Sequence, residues 1–129
     1  MSEDSIKWEY TFRNLPIVRD QPNWVEFYET EYDGKTVVLE VRHLGYPAPD
    51  RDIARLFIYY DSVKKNSFIG LQALVGVPNA RTTVFLEPTE NGHQAMDATK
   101  TPKLEDFVKQ YKPLIESLRP LKETFQNYL

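Results

Sequence analysis

Cysteine is absent from the 129 residues, which removes disulfide scaffolds, thiolate metal sites and cysteine nucleophiles together. Also absent are an apolar run long enough for a membrane span and an Asn-x-Ser/Thr acceptor. Positive charge is not in excess. Sixteen Lys and Arg against nineteen Asp and Glu leave a net charge of −3, so electrostatics give no general attraction to phosphate backbones or anionic lipid. Neither nucleic acid nor a membrane surface is an expected partner. Met1 to Ser5 carries two acids and leads into no apolar h-region, so no secretory leader is expected and the cytoplasm is the expected location.

The chain does hold enough apolar material for a core, with 41% hydrophobic and 27% charged residues. At this length roughly two thirds of the unfolded surface can be buried. One domain spanning residues 1–129 is expected.

Ile6, Trp8, Tyr10 and Phe12 alternate with Lys7, Glu9, Thr11 and Arg13, the period of a strand with one buried face. Asn14-Leu15-Pro16 and Asp20-Gln21-Pro22-Asn23 are turn formers, and the stretch between the two strands reads as a loop. Asp33-Gly34 separates two alternating runs from Trp24 to Leu44, and both residues tolerate the positive φ of a two-residue hairpin turn. That turn sets a register: Thr30 opposite Val37, Tyr28 opposite Leu39, Glu26 opposite Val41 and Trp24 opposite His43 on a core face. The other face, with Glu29 opposite Val38 and Phe27 opposite Glu40, is mixed.

Tyr46-Pro47-Ala48-Pro49 reads as a rigid connector. Residues 51–65 fit two elements. Ile53, Leu56, Phe57 and Tyr60 recur at helical spacing, yet Leu56 to Tyr60 is rich in aromatic and β-branched residues, and the strand is preferred. Ser67–Val77 predicts a central strand in which Gly70 and Gly76 mark a bulge or a close approach. Arg81–Glu87 predicts another, stopped by Pro88, and the polar stretch from Glu90 to Lys100 reads as a mobile loop.

Thr101 and Pro102 form a cap and first-turn pair. From there Leu104, Tyr111, Leu118 and Phe125, with Phe107, Leu114, Leu121 and Tyr128, keep a heptad phase. Pro113 and Pro120 share one stripe off that seam, which predicts one continuous helix, curved by its prolines and about 40 Å long. The fold class is therefore α+β: an antiparallel meander of five or six strands covered by one long C-terminal helix, part of whose seam is free for a partner.

Side chains with chemical potential are few. The hairpin register sets His43 diagonal to Glu26 and beside Trp24, the arrangement of a general base and its orienting carboxylate, and equally of a satisfied pair at a sheet margin. His93 and Asp97, near Glu87 and Glu90, have the donor types of a hard-metal site but sit in a loop with nothing to fix their geometry, so no metal and no cofactor is expected. Ser62, Ser67 and Ser117 lie in no nucleophile elbow, and the Gly70 to Gly76 run lacks a phosphate loop's spacing and lysine. Arg51, Arg55, Lys64 and Lys65 read as a solvated edge defended against aggregation.

Aromatics are the surplus: two tryptophans and eight tyrosines, among which Tyr46, Tyr59 and Tyr60 read equally as outward interface anchors and as amphipathic tyrosines whose rings are buried and whose hydroxyls reach water. The resulting expectation is a non-enzymatic protein-binding module of adaptor, chaperone-like or regulatory type, able to bind a second copy of itself. Its contact residues would come from Trp24, Tyr28, Tyr59, Tyr60, Leu118, Leu121, Phe125 and Tyr128. The competing expectation is a small-molecule domain with an apolar pocket between sheet and helix, lined by Trp24, Tyr28, Leu39 and Val41, and catalytic if Glu26 and His43 act as a pair.

Overall fold

The computed structural model describes residues 6–18, 21–43, 52–61, 63, 67–75 and 83–129. The connector at Tyr46 to Pro49, together with Arg51, Ser62, Lys64, Lys65, Gly76 and Arg81, lies outside them. Seven strands follow one another: β1 (Glu9–Val18), β2 (Gln21–Tyr32), β3 (Lys35–His43), β4 (Ile53–Tyr59), β5 (Phe68–Leu74), β6 (Val84–Thr89) and β7 (Gly92–Ala95). Each pairs antiparallel with the next in one sheet, so spatial order equals chain order. The α+β antiparallel meander is as the sequence predicts, with more strands.

The longer β1 and the added β7 both come from turn formers that sit inside ladders. β1 continues through Asn14 and Leu15, paired with Trp24 and Asn23, and its register slips before Val18 pairs with Gln21. Pro16 is tolerated there because β1 is the sheet's edge, where a missing N–H need not cost a ladder bond. Pro88 likewise fails to stop β6. Pairing with β5 ends at Leu86, so Pro88 takes no bond from that neighbour, and it faces His93 across the hairpin to β7. The expected mobile loop is thus partly a strand.

The β2–β3 hairpin has the predicted register at every pair from Tyr32–Lys35 to Trp24–His43. Asp33 at φ 51° and Gly34 at φ 74° supply the left-handed pair that lets the turn twist with its strands. The strand reading also holds for Ile53–Tyr59.

The C-terminal segment is not one helix. It is three short ones, α1 (Leu104–Gln110), α2 (Lys112–Glu116) and α3 (Arg119–Thr124), closed by a 3₁₀ turn at Gln126–Tyr128. Pro113 and Pro120 stand in the first turn of α2 and α3, where a proline has no bond to lose. The breaks fall two residues earlier, at Tyr111 (φ −108°, ψ 21°) and at Leu118, which is extended (φ −135°, ψ 125°). Curving one helix around two interior prolines would sacrifice a bond at each, about 3 kcal/mol apiece. Restarting the helix at each proline avoids that and keeps the seven-residue phase. The start is also shifted: Lys103, not Thr101, precedes the first turn, and no side chain caps it.

The helices cover one face of the sheet. Val37, Leu39, Leu56, Ile58 and Leu71 from the strands meet Phe107, Val108, Leu114, Ile115, Leu121 and Phe125 in a single buried cluster. Most of these have no exposed surface, each contributing about 2 kcal/mol of burial. Trp8 joins the layers by donating its indole N–H to Ser117 Oγ at 2.9 Å, and Ser117 in turn donates to the Leu114 carbonyl. Among the described residues no helix is long and apolar enough to cross a membrane.

Candidate functional site

Beyond the end of the helix layer, the covered face of β1 to β4 turns polar and aromatic. Trp24 and His43 are paired across β2 and β3, and their rings stack at 4.6 Å between centroids with 15° between planes. His43 Nε2 lies 2.8 Å from Glu26 Oε2, and Nδ1 lies 2.7 Å from Asp52 Oδ2. Tyr10, across β1 from Tyr28, donates its hydroxyl to Glu26 Oε1 at 3.0 Å. The result is a chain of bonded groups running Tyr10, Glu26, His43, Asp52 from β1, β2 and β3 to the residue before β4, each partly open to solvent.

The pair read from the hairpin is therefore present in the geometry, with two further members. Tyr10 could not be placed while residues 14–23 read as a loop, because the β1–β2 register was then undefined. Asp52 follows from the β3–β4 register: Val41 pairs with Ala54 and Arg42 with Ile53, so the next step along sets Asp52 opposite His43.

The bonding constrains the chemistry. Each ring nitrogen of His43 is already within hydrogen-bond distance of a carboxylate, Nδ1 of Asp52 and Nε2 of Glu26. While both bonds hold, His43 has no free nitrogen with which to take a substrate proton. The carboxylates also approach opposite sides of the ring, so the three groups do not converge on a common cation, and no group of three acidic or imidazole side chains suited to a metal is found among the described residues. The negative field is felt by the phenols: desolvation first, then the bond to Glu26 and its charge, raises Tyr10 above the ordinary tyrosine value. Tyr28 is raised by burial and then by Glu26.

Around this chain of groups the surface is aromatic. Tyr10 is 53% and Phe12 47% exposed, Trp24 and Tyr28 are half-buried, and Tyr10 packs against Tyr28 with centroids 5.1 Å apart. Compared with protein-family models, curated proteins and solved structures, the chain has no significant match. Geometry alone carries the reading.

The remaining sequence candidates are scattered. Tyr60 is exposed, and Tyr59 is half-buried on the opposite face of the sheet. Leu121 and Phe125 are in the core, which corrects the expectation that this seam is left over for a partner: three short segments, broken at Tyr111 and Leu118, keep it on the sheet. Leu118 is partly buried against the same cluster, and Tyr128 keeps 36% exposure. A cleft along α2 and α3 is lined by Glu116, Arg119, Lys122, Glu123, Gln126 and Leu129. Of the residues expected to line a pocket beneath the helix, Leu39 and Val41 pack in one buried cluster with Leu114, Ile115 and Leu121. Asp97 accepts the N–H and hydroxyl of Thr99, which lower its pKa, and His93 lies 5.6 Å from the Phe57 ring.

Proposed function

We propose that the protein is a non-enzymatic protein-binding module whose contact surface is the β1 edge with its aromatic patch, and whose partner is a second copy of the chain. One observation carries this reading: two half-exposed aromatics, Tyr10 and Phe12, sit on an edge strand that is paired on one side only among the described residues. An edge with unpaired backbone groups is a template for strand addition, and exposed aromatics anchor interfaces.

The sequence of β1 suits pairing with itself. Antiparallel alignment about Thr11 puts Glu9 opposite Arg13 of the second copy on one face, and Tyr10 opposite Phe12 on the other, each contact occurring twice by symmetry. Opposite charges, an aromatic pair and a central Thr–Thr pair are all favourable cross-strand neighbours. The Tyr10–Glu26–His43–Asp52 bonds act in this reading as a clasp, tying β1, β2 and β3 to the start of β4 so that the edge is presented in one conformation.

Sedimentation velocity at tens of micromolar is expected to show a dimer. Arg13→Glu, an exposed substitution that sets like charges opposite each other, should shift it to monomer. The exchange Glu9→Arg with Arg13→Glu restores opposite signs and should restore the dimer. A wild-type monomer, or a dimer indifferent to both variants, would sink the proposal.

A further inference from the structure

The face of the sheet that no described helix covers holds a second arrangement, at the end of β4 to β7. Phe57 pairs with Gly70 across β4 and β5. A Cβ at Gly70 would stand 2.9 Å from Leu86 Cβ and 3.2 Å from the Phe57 ring, so the glycine is what lets that ring come down onto the backbone as a floor. Phe68 stands at 90° to Phe57 with centroids 5.3 Å apart, and Tyr59 lies 5.4 Å from Phe68. With Pro88, Glu90 and His93 these rings line an open recess of about 360 Å³, within the size range of small-ligand sites.

Its electrostatics favour one sign of charge. Among the described residues, the lining includes one carboxylate, Glu90, and no lysine or arginine. Burial, then the fields of Glu29 and Glu40, raise the Tyr59 phenol above its ordinary value, so the hydroxyl end of the recess also feels negative potential. Arg55, next along the face, is bonded to Gln72 and Glu40 at 2.7 and 3.3 Å. The faces of aromatic rings attract cations, and sets of such rings are how quaternary ammonium groups are held.

We propose that this recess binds a methylated ammonium group, with the methyls against Phe57, Tyr59 and Phe68 and the charge balanced by Glu90. The site is separate from the β1 edge and does not depend on dimerisation.

The test is an NMR titration of the full chain with choline and, separately, with its neutral carbon isostere, in which a tert-butyl group replaces the trimethylammonium. Choline is expected to move the Tyr59, Phe68 and His93 resonances saturably in the millimolar range, with the isostere about tenfold weaker. Glu90→Gln, in the exposed β6–β7 turn, should weaken choline several-fold and leave the isostere unchanged. Equal affinity for the two probes, shifts confined to other residues, or no saturation with choline would each overturn the proposal.

Discussion

Val37, Leu39 and Val41 point from β3 toward the helices, while Thr36, Val38, Glu40 and Arg42, their neighbours in the chain, point to the side that no described helix covers. The first set is wholly apolar and has almost no exposed surface. The second carries the Glu40–Arg55–Gln72 ladder, the cation of Arg13 over the Phe27 ring at 5.2 Å, and the aromatic recess. One strand thus serves two environments with a period of two. The covered face is stabilised by burial of apolar side chains in one cluster, and the open face by a few specific neighbours. Chemistry available to a ligand or partner lies where the helices stop: on the open face, and at the Trp24 end of the covered one.

The comparison is broken most sharply by truncation. Leu114→Ala removes a side chain with no exposed surface that joins helix to sheet, and urea denaturation should show a loss of about 2–5 kcal/mol. Val38→Ala, on the open face, should cost less than about 1 kcal/mol. Equal losses would mean that the open face is buried by something else in solution.

Gly70→Ala sharpens the same contrast, because there the open face tolerates no extra volume. The added methyl meets Leu86 Cβ and the Phe57 ring, and overpacking of this kind costs about 1–3 kcal/mol. It should also change the aromatic circular dichroism by lifting Phe57 from the sheet. A neutral substitution with an unchanged spectrum would remove the floor from the recess.

The smallest effect settles a question of sign within the helical layer. Were Pro113 buried in a continuous helix, Pro113→Ala would stabilise the protein by roughly 3 kcal/mol. In the first turn of α2 it should instead destabilise by at most about 1 kcal/mol, through the freer unfolded chain, with little gain in helical circular dichroism. Stabilisation with a large gain would restore the single curved helix.

Much of this was legible from pattern alone. Asp33-Gly34 flanked by alternating residues set a register that holds at every pair, because positive φ at two consecutive positions permits few other turns. The same register brought Glu26 and His43 together on paper. Asp52 and Tyr10 were not legible, since each depends on a neighbouring strand reached through turn formers: prolines and asparagines signal a loop locally, yet an edge strand tolerates them for want of a second neighbour. The heptad of Leu104 to Tyr128 specified which side chains face the core, and it was right about Leu114, Leu121 and Phe125. It carried no information about helix continuity, because a break that preserves phase leaves the spacing intact.

By itself, then, the sequence determined the α+β class, the sheet's antiparallel character, the β2–β3 hairpin and the inward face of each helix, all of which follow from local periodicity and turn stereochemistry. Only the tertiary structure decided that His43 is held at both nitrogens, that β1 is an edge, and that Phe57 rests on Gly70. These depend on which strands lie side by side, and side-by-side placement is a property of the whole sheet that no single window of residues contains.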